Sequence, residues 1–406
     1  MTAAVVGRSD TDAADLRRLL WARGLRDFGD GFVAVVLPAY LLAFDFTAFQ
    51  VGLFATTALL GSSGLTLSVG LLGSRFDHRP LLLAAALLMA ATGLAFSSLE
   101  HYAALFVVAF VGTVNPSGGS VSVFVPLEHA VLAGRVGDRD RTVMFARYSL
   151  TGALAGAAGT LAAAAPDYLA AFGIGQLAAI KALFALYAVL GLAAGAIYAR
   201  IAPRPVPVEA PKAALGPSRG IVYRMAAVFS LDSFGGGFLV QSLLALWLFE
   251  RFGLSLTAAS LFFFWSGVLS AFSFPVAARL ARRFGLINTM VFTHLPSSLC
   301  LIAAALAPSL PLVLALLLVR SALSQMDVPT RSSFVMAVVT EPERAAAASV
   351  TSVPRSLASA ISPSIAGALF SAGLQAWPLL LCGGLKIAYD LLLLAMFRHA
   401  KPPEER

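Results

Sequence analysis

Apolar stretches of some twenty residues recur along this chain, separated by short polar or proline-bearing joints. They fall at 20–44, 50–73, 80–98, 102–126, 142–164, 173–199, 221–249, 256–281, 285–306, 311–333, 346–372 and 376–397. A helix of about 20 apolar residues is long enough to cross the hydrocarbon core of a bilayer. The pattern therefore predicts twelve membrane-spanning helices. Ten-residue segments of alternating polarity, which an outer-membrane barrel requires, are absent from the sequence. Residues 1–18 are polar, with no apolar run before Leu19, and read as a cytoplasmic tail rather than a signal peptide.

Composition sharpens this picture. Of the 406 residues, 59% are hydrophobic and 12% charged, against about 45–50% and about 25% in a soluble domain. A soluble enzyme, a disordered chain and a nucleic-acid-binding domain are excluded. The net charge is +8, but the basic residues are scattered between apolar runs, without a nucleic-acid footprint. Cys300 and Cys382 both lie in apolar runs, so they form neither a disulfide framework nor a metal-ligand spacing. There is no P-loop, no glycine-rich dinucleotide fingerprint and no His-x-x-x-His pair. The five histidines are spread along the chain. We expect no cofactor, no metal and no enzymatic activity.

Lys and Arg set the orientation. With the N-terminus inside, the cytoplasmic joints carry Arg75 and Arg79; Arg135, Arg139 and Arg141; Arg200, Arg204, Lys212 and Arg219; Arg279, Arg282 and Arg283; and Arg344. The tail adds Arg398, Lys401 and Arg406, while the opposite joints carry only Arg251. Both termini are expected in the cytoplasm. The proline-rich stretch 200–219 reads as a linker. The expected organisation is a tail at 1–18, a six-helix bundle at 19–199, a linker at 200–220, a second bundle at 221–397 and a tail at 398–406.

The two halves repeat. Phe28-Gly29-Asp30-Gly31-Phe32 matches Phe234-Gly235-Gly236-Gly237-Phe238. Pro126 and Arg141 match Pro329 and Arg344, Arg147 and Gly159 match Arg355 and Gly367, and Lys181 matches Lys386. The offset stays between 203 and 208 throughout. Parallel repeats of this kind imply a pseudo-two-fold axis along the membrane normal.

Twelve spans, a central linker and two parallel halves resemble the major facilitator superfamily of secondary transporters. The loop after span 2, Gly70-Leu71-Leu72-Gly73-Ser74-Arg75-Phe76-Asp77-His78-Arg79, keeps the first glycine, the leucine and two basic positions of the family signature. The stretches Asp327-Val328-Pro329, Glu341-Pro342-Glu343-Arg344 and Ser362-Pro363-Ser364-Ile365-Ala366-Gly367 look like the tenth-to-eleventh span region of bacterial members. The resemblance implies an all-α membrane protein, two pseudo-symmetric six-helix bundles around a central cavity, working by alternating access. It implies a monomer in the bacterial inner membrane, a small-molecule substrate and a proton gradient as energy source. Gly152, Gly156 and Gly159 in span 5 carry half of the pattern of drug–proton antiporters, which points to proton-coupled efflux. Proton-coupled uptake of a small organic solute or anion is the alternative, and a lipid-handling protein is the alternative from another class.

Charge inside a span is costly and marks function by default. In span 1, Asp27 and Asp30 follow Arg23 and Arg26 at i,i+4, so each acid can meet an arginine on its own face. Asp30, flanked by Gly29 and Gly31, is the leading proton-coupling candidate, with Asp27 and Asp232 next. Asp232 is the repeat counterpart of Arg26, so an Arg26–Asp232 contact is expected. Arg26, Arg320, Gln325, Phe28 and Phe234 are substrate-cavity candidates. Glu128, Arg147, Asp327, Arg331 and Arg355 are gate candidates, the acids ending spans 4 and 10 and Arg147 and Arg355 beginning spans 5 and 11. Lys386 and Asp390 are expected to pair at i,i+4 within span 12, and His294 to be structural.

Overall fold

The computed structural model describes residues 2–72, 77–118, 122–136, 138–203, 215–340 and 343–398. Positions 73–76 of the span-2 signature, 204–214 of the linker and the tail from 399 onward lie outside the described residues. Each of the twelve expected spans is helical. Nine are single helices: α1 (Thr2–Leu42), α2 (Ala48–Leu72), α3 (His78–Ser98), α6 (Asp138–Ala162), α8 (Gln176–Tyr198), α11 (Leu256–Phe284), α12 (Leu286–Leu306), α15 (Arg344–Ser371) and α16 (Trp377–Phe397). The other three are broken: span 4 into α4 (Tyr102–Val111) and α5 (Phe124–Ala133), span 7 into α9 (Arg219–Gly237) and α10 (Gln241–Phe252), and span 10 into α13 (Leu310–Ser324) and α14 (Asp327–Ala337). A short α7 (Ala165–Ala170) follows α6.

Among the described residues, seven segments are long and apolar enough to cross a membrane by length and composition. The helices α1, α6 and α15 are not among them. Arg23, Arg26, Asp27 and Asp30 crowd α1, and α6 and α15 are rich in Gly, Ser and Arg. Such helices reach membrane depth only by turning their polar groups toward protein.

The chain forms two compact units. Unit 1 comprises Met1–Asp45, Thr57–Val208 and Ser255–Phe264; unit 2 comprises Phe46–Thr56, Glu209–Leu254 and Trp265–Arg406. In unit 1, α1 packs on α6 and α8, and α3 on α8. In unit 2, α9 packs on α15 and α16, and α12 on α13 and α16. Each unit also holds the first turns of a helix that continues in the other. The start of α2 is fixed in unit 2, where Ser371 Oγ accepts from the Phe49 amide at 2.7 Å and Thr56 Oγ1 from the Ser364 amide at 3.0 Å. The start of α11 is fixed in unit 1, where Asp167 accepts from the Thr257 amide and hydroxyl, both at 2.8 Å.

Close approach of α1 and α6 depends on glycine at position 31. A Cβ on Gly31 would lie 2.1 Å from the Gly156 carbonyl oxygen, so α1 and α6 meet backbone to backbone. The helix end at α10 uses Gly253 in the left-handed region, φ +59°, where a side chain would be strained.

One carboxylate grips each described end of the linker. Fully buried Asp15 accepts from Arg18 at 2.8 Å, from Arg135 at 3.0 Å and from the Ala202 amide at 3.2 Å. Glu343 accepts from the Ser218 hydroxyl at 2.7 Å, the Ser218 amide at 3.3 Å, the Gly216 amide and the Thr340 hydroxyl. These donors, Thr340 and Ser218 first, hold the Glu343 carboxyl down to about 2.

Two outcomes follow from this packing. Gly31→Ala should destabilise the protein by about 1–3 kcal/mol, the usual cost of overpacking. Gly64→Ala, whose Cβ meets nothing within 4 Å, should be neutral; thermal unfolding in detergent compares the two. A carboxyl held below its unfolded value stabilises fully above that value, and the contribution disappears as pH falls toward about 2. Glu343→Gln should therefore lower the melting temperature at neutral pH, and its difference from the parent should shrink on acidification below the ordinary glutamate range. A difference that is constant with pH would contradict this.

Candidate functional site

The intramembrane charges gather into one cluster per unit. In unit 1, the Arg26 side chain is 1% exposed and Glu128 fully buried, and they form an ion pair. Arg26 also donates to Tyr198 Oη at 3.0 Å and lies over the Phe124 ring, 4.0 Å from its centroid. Glu128 accepts further from Tyr148 Oη at 2.5 Å and Tyr198 Oη at 2.6 Å. One turn along α1, Arg23 pairs with Asp27 at 2.8 Å and stacks over Tyr148. Arg23 Nε and Nη1 and Asp27 Oδ1 are buried without a partner among the described residues.

Asp30 is held differently. Its donor is the Tyr187 hydroxyl at 3.1 Å, and among the described residues no cationic group bonds it. The break between α4 and α5 supplies the rest of this arrangement. The Thr113 carbonyl oxygen lies 3.2 Å from Tyr187 Oη and Thr113 Oγ1 lies 3.1 Å from it, while the Thr113 amide donates to Thr92 Oγ1 at 3.2 Å. Irregular backbone at membrane depth is thus satisfied by protein.

In unit 2, Asp232 accepts from Lys386 at 2.7 Å and Arg331 at 2.9 Å, and Arg331 also reaches Asp327 at 3.0 Å. His294 Nδ1 faces both Asp390 oxygens, at 3.0 and 3.1 Å. Its Nε2 lies 3.4 Å from Lys386 Nζ, which has only protons to offer. Nε2 also lies 3.9 Å from Asp232 Oδ1, so the ring sits between Asp390 and the Lys386–Asp232 pair. Arg355 donates from Nε to Ser233 Oγ at 3.0 Å, next to Asp232.

The clusters correspond across the repeat. Arg26 matches Asp232 at an offset of 206, and Glu128 matches Arg331 at 203. The central ion pair of each unit thus occupies equivalent positions with its polarity reversed.

Several expected pairings are corrected. Arg26 bonds Glu128 and Tyr198 rather than Asp30, because α5 and α8 bring stronger partners to its guanidinium than its own helix does. Arg26 and Asp232 each find their partners within their own unit. Lys386 and Asp390 do not pair with each other: they reach across to α9 and α12, which makes His294 a member of the cluster. Lys181 is no structural counterpart of Lys386, since it pairs with Glu100 at the far end of α8. Tyr187 takes that place, packing against Gly29 as Lys386 packs near Gly235.

The gate candidates separate. Glu128, Asp327 and Arg331 are interior partners of the clusters, and Arg355 is half-buried beside them. Arg147 is exposed, because α6 turns the next residue, Tyr148, inward to Glu128. Of the cavity candidates, Phe28 lines a groove between α1 and α6. Phe234 stacks edge-on against Phe238 at 5.3 Å, and Gln325 sits at the break between α13 and α14. Arg320 is half-buried on α13, where its carbonyl accepts from Ser297 at 3.4 Å. Tyr148, Tyr187 and Tyr198 were not singled out from the sequence. Their signal was available: a tyrosine buried at membrane depth needs a partner for its hydroxyl.

Fold and clusters describe a helical membrane transporter. The chain belongs to the Major Facilitator Superfamily, whose model matches residues 19–319 and 225–406. It is similar to the uncharacterized membrane protein YJR124C of Saccharomyces cerevisiae, with 24% identity covering 94% of this chain and 93% of the relative. Its fold is similar to that of the nucleoside transporter NupG, with a TM-score of 0.72, 13% identity and coverage of 95% and 99% of the two chains. It is also similar to a bacterial homologue of the iron transporter ferroportin in an inward-facing state, with a TM-score of 0.72, 17% identity and coverage of 94% and 98%.

Removing one partner of a buried ion pair leaves the other uncompensated, at a cost of about 3–5 kcal/mol. Glu128→Gln and Arg331→Gln should each destabilise by about that much in a denaturant titration in mixed micelles. The double variant Arg26→Gln/Glu128→Gln should recover part of the loss, because no charge remains unpaired. Single variants within about 0.5 kcal/mol of the parent, as surface substitutions are, would show that the pair is not needed for stability.

Proposed function

We propose that this protein is a proton-coupled secondary transporter of small molecules, working by alternating access, and that Asp30 carries the coupling proton. The observation that carries the reading is the charge balance of the unit 1 cluster. Three carboxylates, Asp27, Asp30 and Glu128, face two guanidinium groups, Arg23 and Arg26. Both arginines are engaged by Asp27 and Glu128. A buried cluster with one surplus negative charge is neutralised by one proton, and Asp30 is the carboxylate without an arginine.

The surroundings of Asp30 suit it to gaining and losing that proton. The Tyr187 hydroxyl has one hydrogen and two acceptors in reach, Asp30 Oδ1 and the Thr113 carbonyl. When Asp30 is charged, the hydrogen points to it. When Asp30 is protonated, the hydroxyl can turn to Thr113, and neither state leaves the hydroxyl proton unbonded. In unit 2 three carboxylates, Asp232, Asp327 and Asp390, stand against Arg331, Lys386 and Arg355, with the His294 ring beside Asp390, so the carboxylates are not in surplus there.

The Lys/Arg distribution supports placing both termini in the cytoplasm; a bacterial inner membrane and a monomeric chain belong to the same proposal. The span-5 glycines support extrusion rather than uptake. No bound cofactor is needed, since the proton gradient supplies the energy.

The test uses purified protein in liposomes with an internal pH dye, screened against small organic solutes under an imposed proton gradient. Asp30→Asn should abolish gradient-driven movement of a solute that the parent moves, and leave exchange without a gradient intact. Uphill transport by Asp30→Asn at the parental rate would move the assignment away from Asp30.

A further inference from the structure

We infer that the groove between α1 and α6 binds an amphipathic organic anion, its carboxylate or phosphate head held by Arg17 and Arg147 and its apolar body lying over Trp21 and Phe28. The cavity measures about 550 Å³, within the range of drug-sized ligand sites. Its walls are Trp21, Leu25 and Phe28 on α1, and its floor is kept open by Gly24, Ala155 and Ala158. Arg17 supplies a charge and Thr151 a hydroxyl; among the described residues no Asp or Glu lines it. Trp21 is 71% exposed, although the helix behind it is closely packed.

A second arginine, Arg147, lies outside the residues that line the groove but falls level with the same end by helical register. Arg147 precedes Thr151 by one helical turn, on the α6 face that carries Thr151, Ala155 and Ala158. The helices run parallel, with Gly24 against Thr151 and Ala155, and Gly31 against Gly156. That register sets Arg147 level with the stretch from Arg17 to Leu20. Both arginines are exposed, and neither has a bonding partner among the described residues. The neighbouring charges are already matched: Arg23 by Asp27, and Arg18 and Arg135 by Asp15.

The chemistry selects among ligands. Two unpaired guanidinium forks suit a carboxylate or phosphate, which they can grip bidentately. A cation would meet repulsion at this mouth. A sugar or nucleoside would find one side-chain hydroxyl on otherwise apolar walls and lose its hydrogen bonds to water. The ligand that fits is a free, single-chain or compact aromatic acid rather than a bilayer phospholipid, whose two chains exceed the groove. Its role as the transported solute rests on the transporter reading above.

Trp21 offers a local readout. In the variant Trp247→Phe/Trp265→Phe/Trp377→Phe it is the one remaining tryptophan, since the chain has four. This variant, in phosphatidylcholine nanodiscs, is titrated with ω-bromodecanoate, ω-bromodecanol and ω-bromodecyl-trimethylammonium, whose bromine quenches indole fluorescence on contact. Saturable quenching is expected for the acid, at about ten- to a hundredfold lower concentration than for the alcohol, the worth of charge-assisted hydrogen bonds. Unbrominated decanoate should reverse it. Arg17→Gln/Arg147→Gln should bring the acid to the level of the alcohol while leaving the alcohol unchanged. Ala155→Phe should fill the groove and remove binding of both, read by the same quenching and by the loss of the decanoate-dependent thermal shift.

Equal quenching by all three compounds, or quenching that decanoate does not reverse, would show bilayer partitioning only and overturn the inference. Equally strong, irreversible quenching by a phosphatidylcholine with brominated chains would overturn it in favour of lipid contact. Binding is measured without a proton gradient, so its failure leaves the Asp30 experiment standing. Conversely, failure of Asp30→Asn to affect transport leaves the binding result standing.

Discussion

A charge carried into an apolar bundle must find an opposite charge or a proton there, and the arrangement of this protein follows from that requirement. The polar helices α1, α6 and α15 are too hydrophilic to face lipid, so they turn inward and bring their arginines and acids with them. Each unit then closes around its own ion pair. Tyrosines take up remaining valences in unit 1, where Tyr148 and Tyr198 share Glu128. A lysine and a histidine do so in unit 2, where Asp232 binds Lys386 and Arg331 together. These bonds join helices distant in sequence, so the same contacts that neutralise charge also order the bundle.

The fold was legible because its governing signal is local. Twenty apolar residues in a row make a span wherever they fall, and the edges agree with the helices to within a few residues in most cases. The breaks were legible in part. Asn115-Pro116 and Ser117-Gly118-Gly119 interrupt span 4, and Gly235-Gly236-Gly237 precede the break in span 7; both are breaker signals that the count of apolar runs passes over, whereas span 10 carries no such signal at Gln325-Met326. Pairing was legible only within one helix. Arg23–Asp27 and Asp327–Arg331 follow from spacing of four, whereas Arg26–Glu128 and His294–Asp390 join different spans. Where both kinds of partner were in reach, as for Arg26 and for Lys386, the partner on another helix won. An i,i+4 pair brings two side chains to one surface of a helix, while a neighbouring helix can offer a carboxylate already desolvated and aimed by its own bonds.

Solved structures of similar fold include a nucleoside transporter and a bacterial homologue of an iron transporter. Fold therefore says little about cargo, and the side chains must decide. The contrast between the units is informative here. In unit 2 every cluster carboxylate faces a cationic side chain or the His294 ring. In unit 1 Asp30 meets only a hydroxyl, at the point where α4 gives way to irregular backbone.

The reversed polarity of the two central pairs constrains how such halves can diverge. Positions 26 and 128 hold arginine and glutamate; their counterparts 232 and 331 hold aspartate and arginine. No single substitution leads from one arrangement to the other without passing through two like charges buried side by side. A lineage that separates two such halves has to cross by way of a neutral intermediate, or change both residues together. The same barrier, once crossed, keeps each half in its own state: residues at these positions are exchangeable between halves only as pairs. Chimeric chains that splice one half's helix into the other would meet this rule before any question of substrate arises.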